Sequence, residues 1–114
     1  MNFEDFNDYQ YNIRKFCVYP GKDDSGIVPY PYFGLVGETG EVFEKVKKIL
    51  RDKGGTVTYA DTEDITKELG DCLFYLARIA QHLGINLGDV ASTNLIKLQS
   101  RLDRNKIQGQ GDNR

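Results

Sequence analysis

Four carboxylates stand in two pairs at a three-residue step, Glu38 with Glu41 and Glu68 with Asp71. On a helix that step is about one turn, so each pair shares a face. The first pair falls within Gly34–Leu50, where Leu35, Val42, Phe43, Val46, Ile49 and Leu50 recur at helical spacing. Glu38, Glu41 and Lys45 therefore lie along one border of an apolar stripe. The second pair borders another stripe, made by Ile65, Leu69, Cys72, Leu76, Ile79 and Leu83. Asp64, one turn earlier, suits either a helix N-terminus or the acidic edge. If the two helices pack side by side, the four carboxylates converge. Two unit charges ~4 Å apart repel by about 4 kcal/mol at an effective dielectric of 20. Several such contacts would rival the ~5–15 kcal/mol stability of a whole domain, so the arrangement asks for a cation. Oxygen donors without histidine or cysteine select Mg²⁺ or Mn²⁺ over zinc, and Mg²⁺ takes phosphate oxygens from its substrate.

Asn94, Lys97 and Arg101 supply the opposite sign along one edge of a later helix. An acidic metal site facing a lysine–arginine row is what a polyphosphate needs. Plainer readings exist for each part. An ExxE on a helix is most often a solvated face, and Lys97 and Arg101 taken singly are snorkelling surface charges. Two pairs on neighbouring helices, both hugging an apolar border, argue against coincidence. His82, a lone histidine near a helix end, reads as a surface or dipole-satisfying residue rather than a ligand.

The elements that must position these residues follow from periodicity and punctuation. The spacing of Phe3, Phe6, Tyr9, Ile13, Phe16 and Cys17 predicts a first helix over 3–17, stopped by Tyr19-Pro20-Gly21. A polar and mobile loop is expected from Lys22 to Tyr30. Pro29 and Pro31 open a second helix, which Gly54-Gly55 ends. Its glycines 34, 37 and 40 each cost about 1 kcal/mol relative to alanine, which implies a close approach by another helix or by a ligand. Thr56–Tyr59 reads as loop, and Asp61 or Thr62 as the cap of a third helix that stops at Gly84. Asn86 caps a fourth, with Val90, Ala91, Leu95, Leu98 and Leu102 as its apolar face. Residues 108–114 are a polar, glycine-rich tail, disordered unless something holds it. Residues 1–107 thus make one domain, an all-α four-helix bundle.

The totals agree. A chain of 114 residues, 39% apolar and 28% charged, buries roughly two-thirds of its unfolded surface without staples. The net charge of −2 offers no basic field for a nucleic-acid polymer or an anionic membrane. No apolar run approaches the ~20 residues of a membrane span, and the acidic N-terminus is unlike a signal peptide. Cys17 and Cys72, far apart, read as thiols in a reducing compartment, so a cytoplasmic protein is expected.

The ordered set Glu38-Thr-Gly-Glu41 and Glu68-Leu-Gly-Asp71 resembles the ExxE…ExxD mark of the MazG-like nucleotide pyrophosphohydrolases, of the all-α NTP pyrophosphatase superfamily. The contexts Gly-Leu-Val-Gly-Glu-Thr-Gly-Glu-Val and Lys-Glu-Leu-Gly-Asp-Cys-Leu share the likeness. So do Asp8-Tyr9-Gln10, Asn94-Leu-Ile-Lys97 with Arg101, and Gly109–Arg114, which together span nearly the whole chain. The resemblance implies hydrolysis of a (deoxy)nucleoside triphosphate between its α- and β-phosphates, giving a monophosphate and pyrophosphate, in nucleotide-pool control. It implies that Glu38, Glu41, Glu68 and Asp71 bind Mg²⁺ and that one of them orients the attacking water. It assigns Asn94, Lys97 and Arg101 to phosphate or sugar, and it implies a homodimer or a dimer-based tetramer. The chain departs from the family in two ways: Gly37 stands where an extra acidic residue often precedes the motif, and there is no tryptophan to stack on a base. That role would pass to a tyrosine or phenylalanine of the first helix or of the Tyr30–Phe33 segment. Phosphoribosyl-ATP pyrophosphohydrolase, from the same superfamily, is one alternative. A non-catalytic helical dimer acting as a regulatory module is the other.

Overall fold

The computed structural model describes residues 5–114. Its elements are α1 (Phe6–Asn12), which tightens into a 3-10 turn (Ile13–Phe16), then α2 (Pro29–Lys53), α3 (Tyr59–His82) and α4 (Leu87–Asp103). No strand occurs among the described residues. The first helix is shorter than its apolar spacing suggested. Asp5 caps it, accepting from the Asp8 N–H at 2.8 Å, and the regular turn gives way at Ile13. Phe3 lies outside the described residues.

α2 has the bounds its punctuation predicts. Val28 is extended, as the residue before a proline must be. Pro29 occupies the first helical position, where its missing donor costs nothing. Gly54 closes the helix in the left-handed region at φ 57°. α3 starts earlier than expected. Its cap is Thr58, and Asp61 is the third residue of a capping box: the Asp61 N–H donates to Thr58 Oγ1 (3.2 Å), and the Thr58 N–H donates to Asp61 Oδ2 (2.9 Å). Lys53 Nζ, 2.8 Å from the same carboxylate, ties the end of α2 to the start of α3. Hydrogen bonds from Lys53 and from the Thr58 backbone hold the Asp61 carboxyl down at about 2. Asn86 precedes α4 but makes no side-chain cap. The orphan donors there go to α1: the Leu87 N–H donates to Gln10 Oε1 (3.0 Å) and the Gly88 N–H to Asn7 Oδ1 (2.8 Å). Gln10 Nε2 in turn donates to the carbonyls of Ala77 and Ile85, so one buried amide pins α1, α3 and α4 together.

The core gathers at one end of the α2–α3 hairpin. Ile13, Ala77 and Leu87 pack with Tyr9, Leu73 and Phe74, while Cys17, Tyr19 and Val28 form a second cluster that also packs against Phe74. The predicted α3 stripe is only partly covered. Leu69, Leu76 and Leu83 are exposed, and Ala77, Arg78, Ala80 and His82 are the buried residues of α3. The reason is that α1 and the segment before α2 pack on a different edge of α3. The α4 face is open as well, with Val90, Leu95, Leu98 and Leu102 exposed. A radius of gyration of 16.9 Å exceeds the ~13 Å of a compact domain of about this length.

Two segments expected to be loose are tied down. The Lys22–Tyr30 loop is held by α3: Arg78 donates to the Lys22 carbonyl (2.7 Å), His82 Nδ1 lies 2.7 Å from the Asp24 carbonyl, and the Gly26 N–H donates to the His82 carbonyl (2.8 Å). His82 is therefore a buried structural residue and not a surface one. The C-terminal tail folds back onto α4, where Arg101 donates to the Asp112 carbonyl (2.7 Å) and Arg104 to that of Arg114 (2.7 Å). Arg114 closes the loop onto the carbonyls of Lys106, Ile107 and Gly111. No helix among the described residues is long and apolar enough to cross a membrane.

Candidate metal and phosphate site

Gly34 on α2 and Tyr75 on α3 set how closely the two helices approach. A Cβ on Gly34 would lie 2.4 Å from the Tyr75 ring, so the ring lies directly over the bare backbone. Gly37 and Gly40 face open space within the chain. At this separation Glu38 from α2 meets Glu68 and Asp71 from α3, with one carboxylate oxygen of each within 4.8 Å of the others. Glu41 is exposed and stands outside that three-way cluster, one turn on. Asp64 is exposed and takes no part in the cluster.

The electrostatics record the crowding. The Glu38 carboxyl is pushed above its ordinary value, first by burial, then by the Asp71 charge, by a hydrogen bond with Glu68, and by the charges of Glu68 and Glu41. Lys45 Nζ, 3.8 Å from Glu68 Oε1, is the one ion-pair partner of these carboxylates among the described residues. Hard oxygen donors from two helices, held together against their own repulsion, fit a divalent metal ion. Tyrosines flank them. Tyr75 is held above its ordinary value by burial, then by Tyr30, with the Glu38 and Asp71 charges contributing. Tyr9 from α1 is raised by burial and then by Asp71. Tyr30 stacks on Tyr19 with ring centroids 4.9 Å apart, so an aromatic wall runs beside the carboxylates.

The α4 row sits elsewhere in the chain. Asn94 is exposed, Lys97 Nζ is 3.4 Å from Asp112 Oδ1, and Arg101 Nη2 is 3.5 Å from the same oxygen. Among the described residues no ion pair joins this row to the carboxylates of α2 and α3. Arg101 is buried, and its Nε has no hydrogen-bond partner. The structure thus brings Glu38, Glu68 and Asp71 together, leaves Glu41 adjacent, and covers Lys97 and Arg101 with the tail. Asp112 belongs to the Gly109–Arg114 stretch that shares the family likeness, but nothing in the sequence joins it to Lys97 and Arg101.

A family model described as the MazG nucleotide pyrophosphohydrolase domain matches residues 32–104, a span that holds all four carboxylates and the α4 row. The chain is also similar to the Gene 37 protein of Mycobacterium phage L5, with 48% identity over 109 residues, covering 93% of this chain and 96% of the relative. No solved structure matches it.

Proposed function

The chain belongs to the MazG nucleotide pyrophosphohydrolase domain family, and from that premise we propose that it is a Mg²⁺-dependent enzyme cleaving (deoxy)nucleoside triphosphates to monophosphates and pyrophosphate in control of the nucleotide pool. The observation that carries this reading is the convergence of Glu38, Glu68 and Asp71 from two helices within 4.8 Å. These three would hold the ion, which when bound supplies Lewis acidity and neutralises phosphate charge. Glu41, beside the cluster but outside it, is left to orient the attacking water. Asn94, Lys97 and Arg101 take phosphate or sugar oxygens, the last two in exchange for the Asp112 carboxylate they now pair with. Tyr30, backed by the buried Tyr19 ring, and Tyr75 offer the aromatic surface for a base that the missing tryptophan does not. The working form is a homodimer or a dimer-based tetramer, in which the open faces of α2 and α3 meet a second copy. Acting on free nucleotides, it belongs in the cytoplasm, where Cys17 and Cys72 remain thiols.

The test is a panel of NTPs, dNTPs and phosphoribosyl-ATP with pyrophosphate detection, with Mg²⁺ and with EDTA. Pyrophosphate should appear only with the metal, and Glu41→Gln and Asp71→Asn should each lower kcat by a factor on the order of 100 or more while the fold is kept. Turnover confined to phosphoribosyl-ATP would move the assignment to that hydrolase. No turnover on any nucleotide with Mg²⁺ would leave a regulatory helical dimer instead.

A further inference from the structure

A cavity of about 540 Å³ opens where the 3-10 turn and the Lys22–Ser25 loop meet the last turn of α3, and none of the four carboxylates lines it. Its walls include Arg14, Lys15, Lys22, Arg78 and His82. Arg78 is only 5% exposed, and among the described residues no partner of its guanidinium is a carboxylate. Nε donates to Tyr19 Oη (2.8 Å), Nη1 to Gln81 Oε1 (2.6 Å) and Nη2 to the Lys22 carbonyl (2.7 Å), with His82 Nε2 3.4 Å from Nη2. No carboxylate pairs with it among the described residues. A buried charge without a counter-charge is costly, and the carbonyl end of α3 offsets only part of that cost.

The other cations are equally underused. Arg14 lies over the Tyr11 ring at 3.9 Å and Lys15 near the Phe16 ring at 5.4 Å, neither in an ion pair among the described residues. Lys22 pairs with Asp23 at 3.0 Å, but both side chains are largely solvated, and such pairs contribute little. Asp24 is the one further carboxylate in the wall. Its backbone carbonyl faces His82 Nδ1, which assigns the ring proton to that nitrogen and leaves Nε2 to accept from the Tyr19 hydroxyl at 2.6 Å. Arg78, Tyr19, His82 and the loop carbonyls thus form a fixed, hydrogen-bonded wall. The cavity is positive in a chain whose net charge is −2.

We propose that this cavity is a second binding site, separate from the metal centre, for a small phosphate-bearing anion held by Arg14, Lys15 and Lys22 against the buried Arg78. Guanidinium groups suit phosphate because their forked donors match its oxygens, and the volume lies within the range of small-molecule sites. Phosphate borne by a nucleotide and free inorganic pyrophosphate share this chemistry.

His82 is the chain's single histidine, so its ring resonances report on the cavity alone. Inorganic pyrophosphate and, separately, AMP are titrated into the full chain in EDTA, so that the carboxylate cluster repels rather than recruits them. At least one probe should shift the His82 signals saturably at submillimolar concentration, the effect weakening as salt rises. The exposed double variant Arg14→Gln/Lys15→Gln should weaken that binding by about 10-fold or more, while Lys97→Gln leaves it unchanged. Tighter AMP binding would assign a nucleotide-borne phosphate, and tighter pyrophosphate binding the inorganic anion. Saturation by neither probe, or saturation that ignores Arg14 and Lys15, overturns the proposal.

Discussion

Glu38 carries the most information of any single side chain, because burial and like charge act on it in the same direction. Its carboxyl titrates above its ordinary value in the folded chain, so between that value and the unfolded one the native state binds more protons than the unfolded state. Stability must then fall as pH rises through that window and be largest on its acid side. Asp61, held at about 2, behaves oppositely: its contribution is present above the unfolded value and is lost only as pH falls toward about 2. Between pH 5 and pH 7 the Glu38 effect therefore stands alone of the two. Thermal melts of the metal-free chain should show a lower Tm at pH 7 than near pH 5. Glu38→Gln should raise the pH 7 value and flatten the difference. Saturating Mg²⁺ should reverse the ranking, because the ion binds the native carboxylates and stabilises by mass action. A metal-free wild type indifferent to Glu38→Gln would mean that the three carboxylates do not crowd one another in solution.

Among the elements, α2 shows how much spacing and punctuation reveal. Pro29 and Gly54 mark its ends, and the carboxylate pairs were legible because their chemistry lies in local three-residue steps. The start of α3 was less legible, because Thr58, Asp61 and Thr62 can all cap and only the capping box decides among them. The capping of α4 by Gln10 and Asn7, and the burial of Arg78 and His82, join residues more than fifty positions apart, which no local pattern encodes. One late signal did exist. Glu68, Asp71, Tyr75, Arg78 and His82 run down α3 at steps of three and four, a polar face that continues past the acidic pair. The three glycines of α2 divide by neighbour. Gly34→Ala drives a methyl into the Tyr75 ring, and overpacking of about 1–3 kcal/mol should outweigh the ~1 kcal/mol of helix propensity gained. Gly37→Ala meets nothing in the chain and keeps that gain. Melts at low protein concentration should place Gly34→Ala below wild type and Gly37→Ala above it by roughly 4 °C. A stable Gly34→Ala would show that the helices are not set by that contact.

For the whole molecule the question is what covers its apolar surface. Val36, Phe43 and Leu50 on α2 recur every seven residues, as do Leu69 and Leu76 on α3 with its C-cap Leu83, and all six are exposed, Phe43 by 69%. Seven-residue rows on two packed helices are the seam of a helical bundle. Periodicity marks Phe43, Leu50, Leu69, Leu76 and Leu83 as apolar-stripe positions but not Val36, and it could not say which of them the chain itself leaves open. A second hairpin laid across the first would complete a four-helix core and bring the open faces of Gly37 and Gly40 against a neighbour. Burial at such a seam typically exceeds the ~1,600 Å² of a standard interface, so the assembly should persist at micromolar concentration. Light scattering should then give at least twice the chain's 12.9 kDa, and Tm should rise with concentration. Phe43→Glu places a charge in the seam and should give a monomer with a concentration-independent and lower Tm, whereas Val18→Glu, 89% exposed and off the hairpin, should change neither. If Phe43→Glu keeps the wild-type mass and melt, the exposed rows are not the seam, and some other surface must account for any assembly. If wild type is itself a monomer at tens of micromolar, the hairpin bears its apolar rows uncovered, and the site must be complete within one chain.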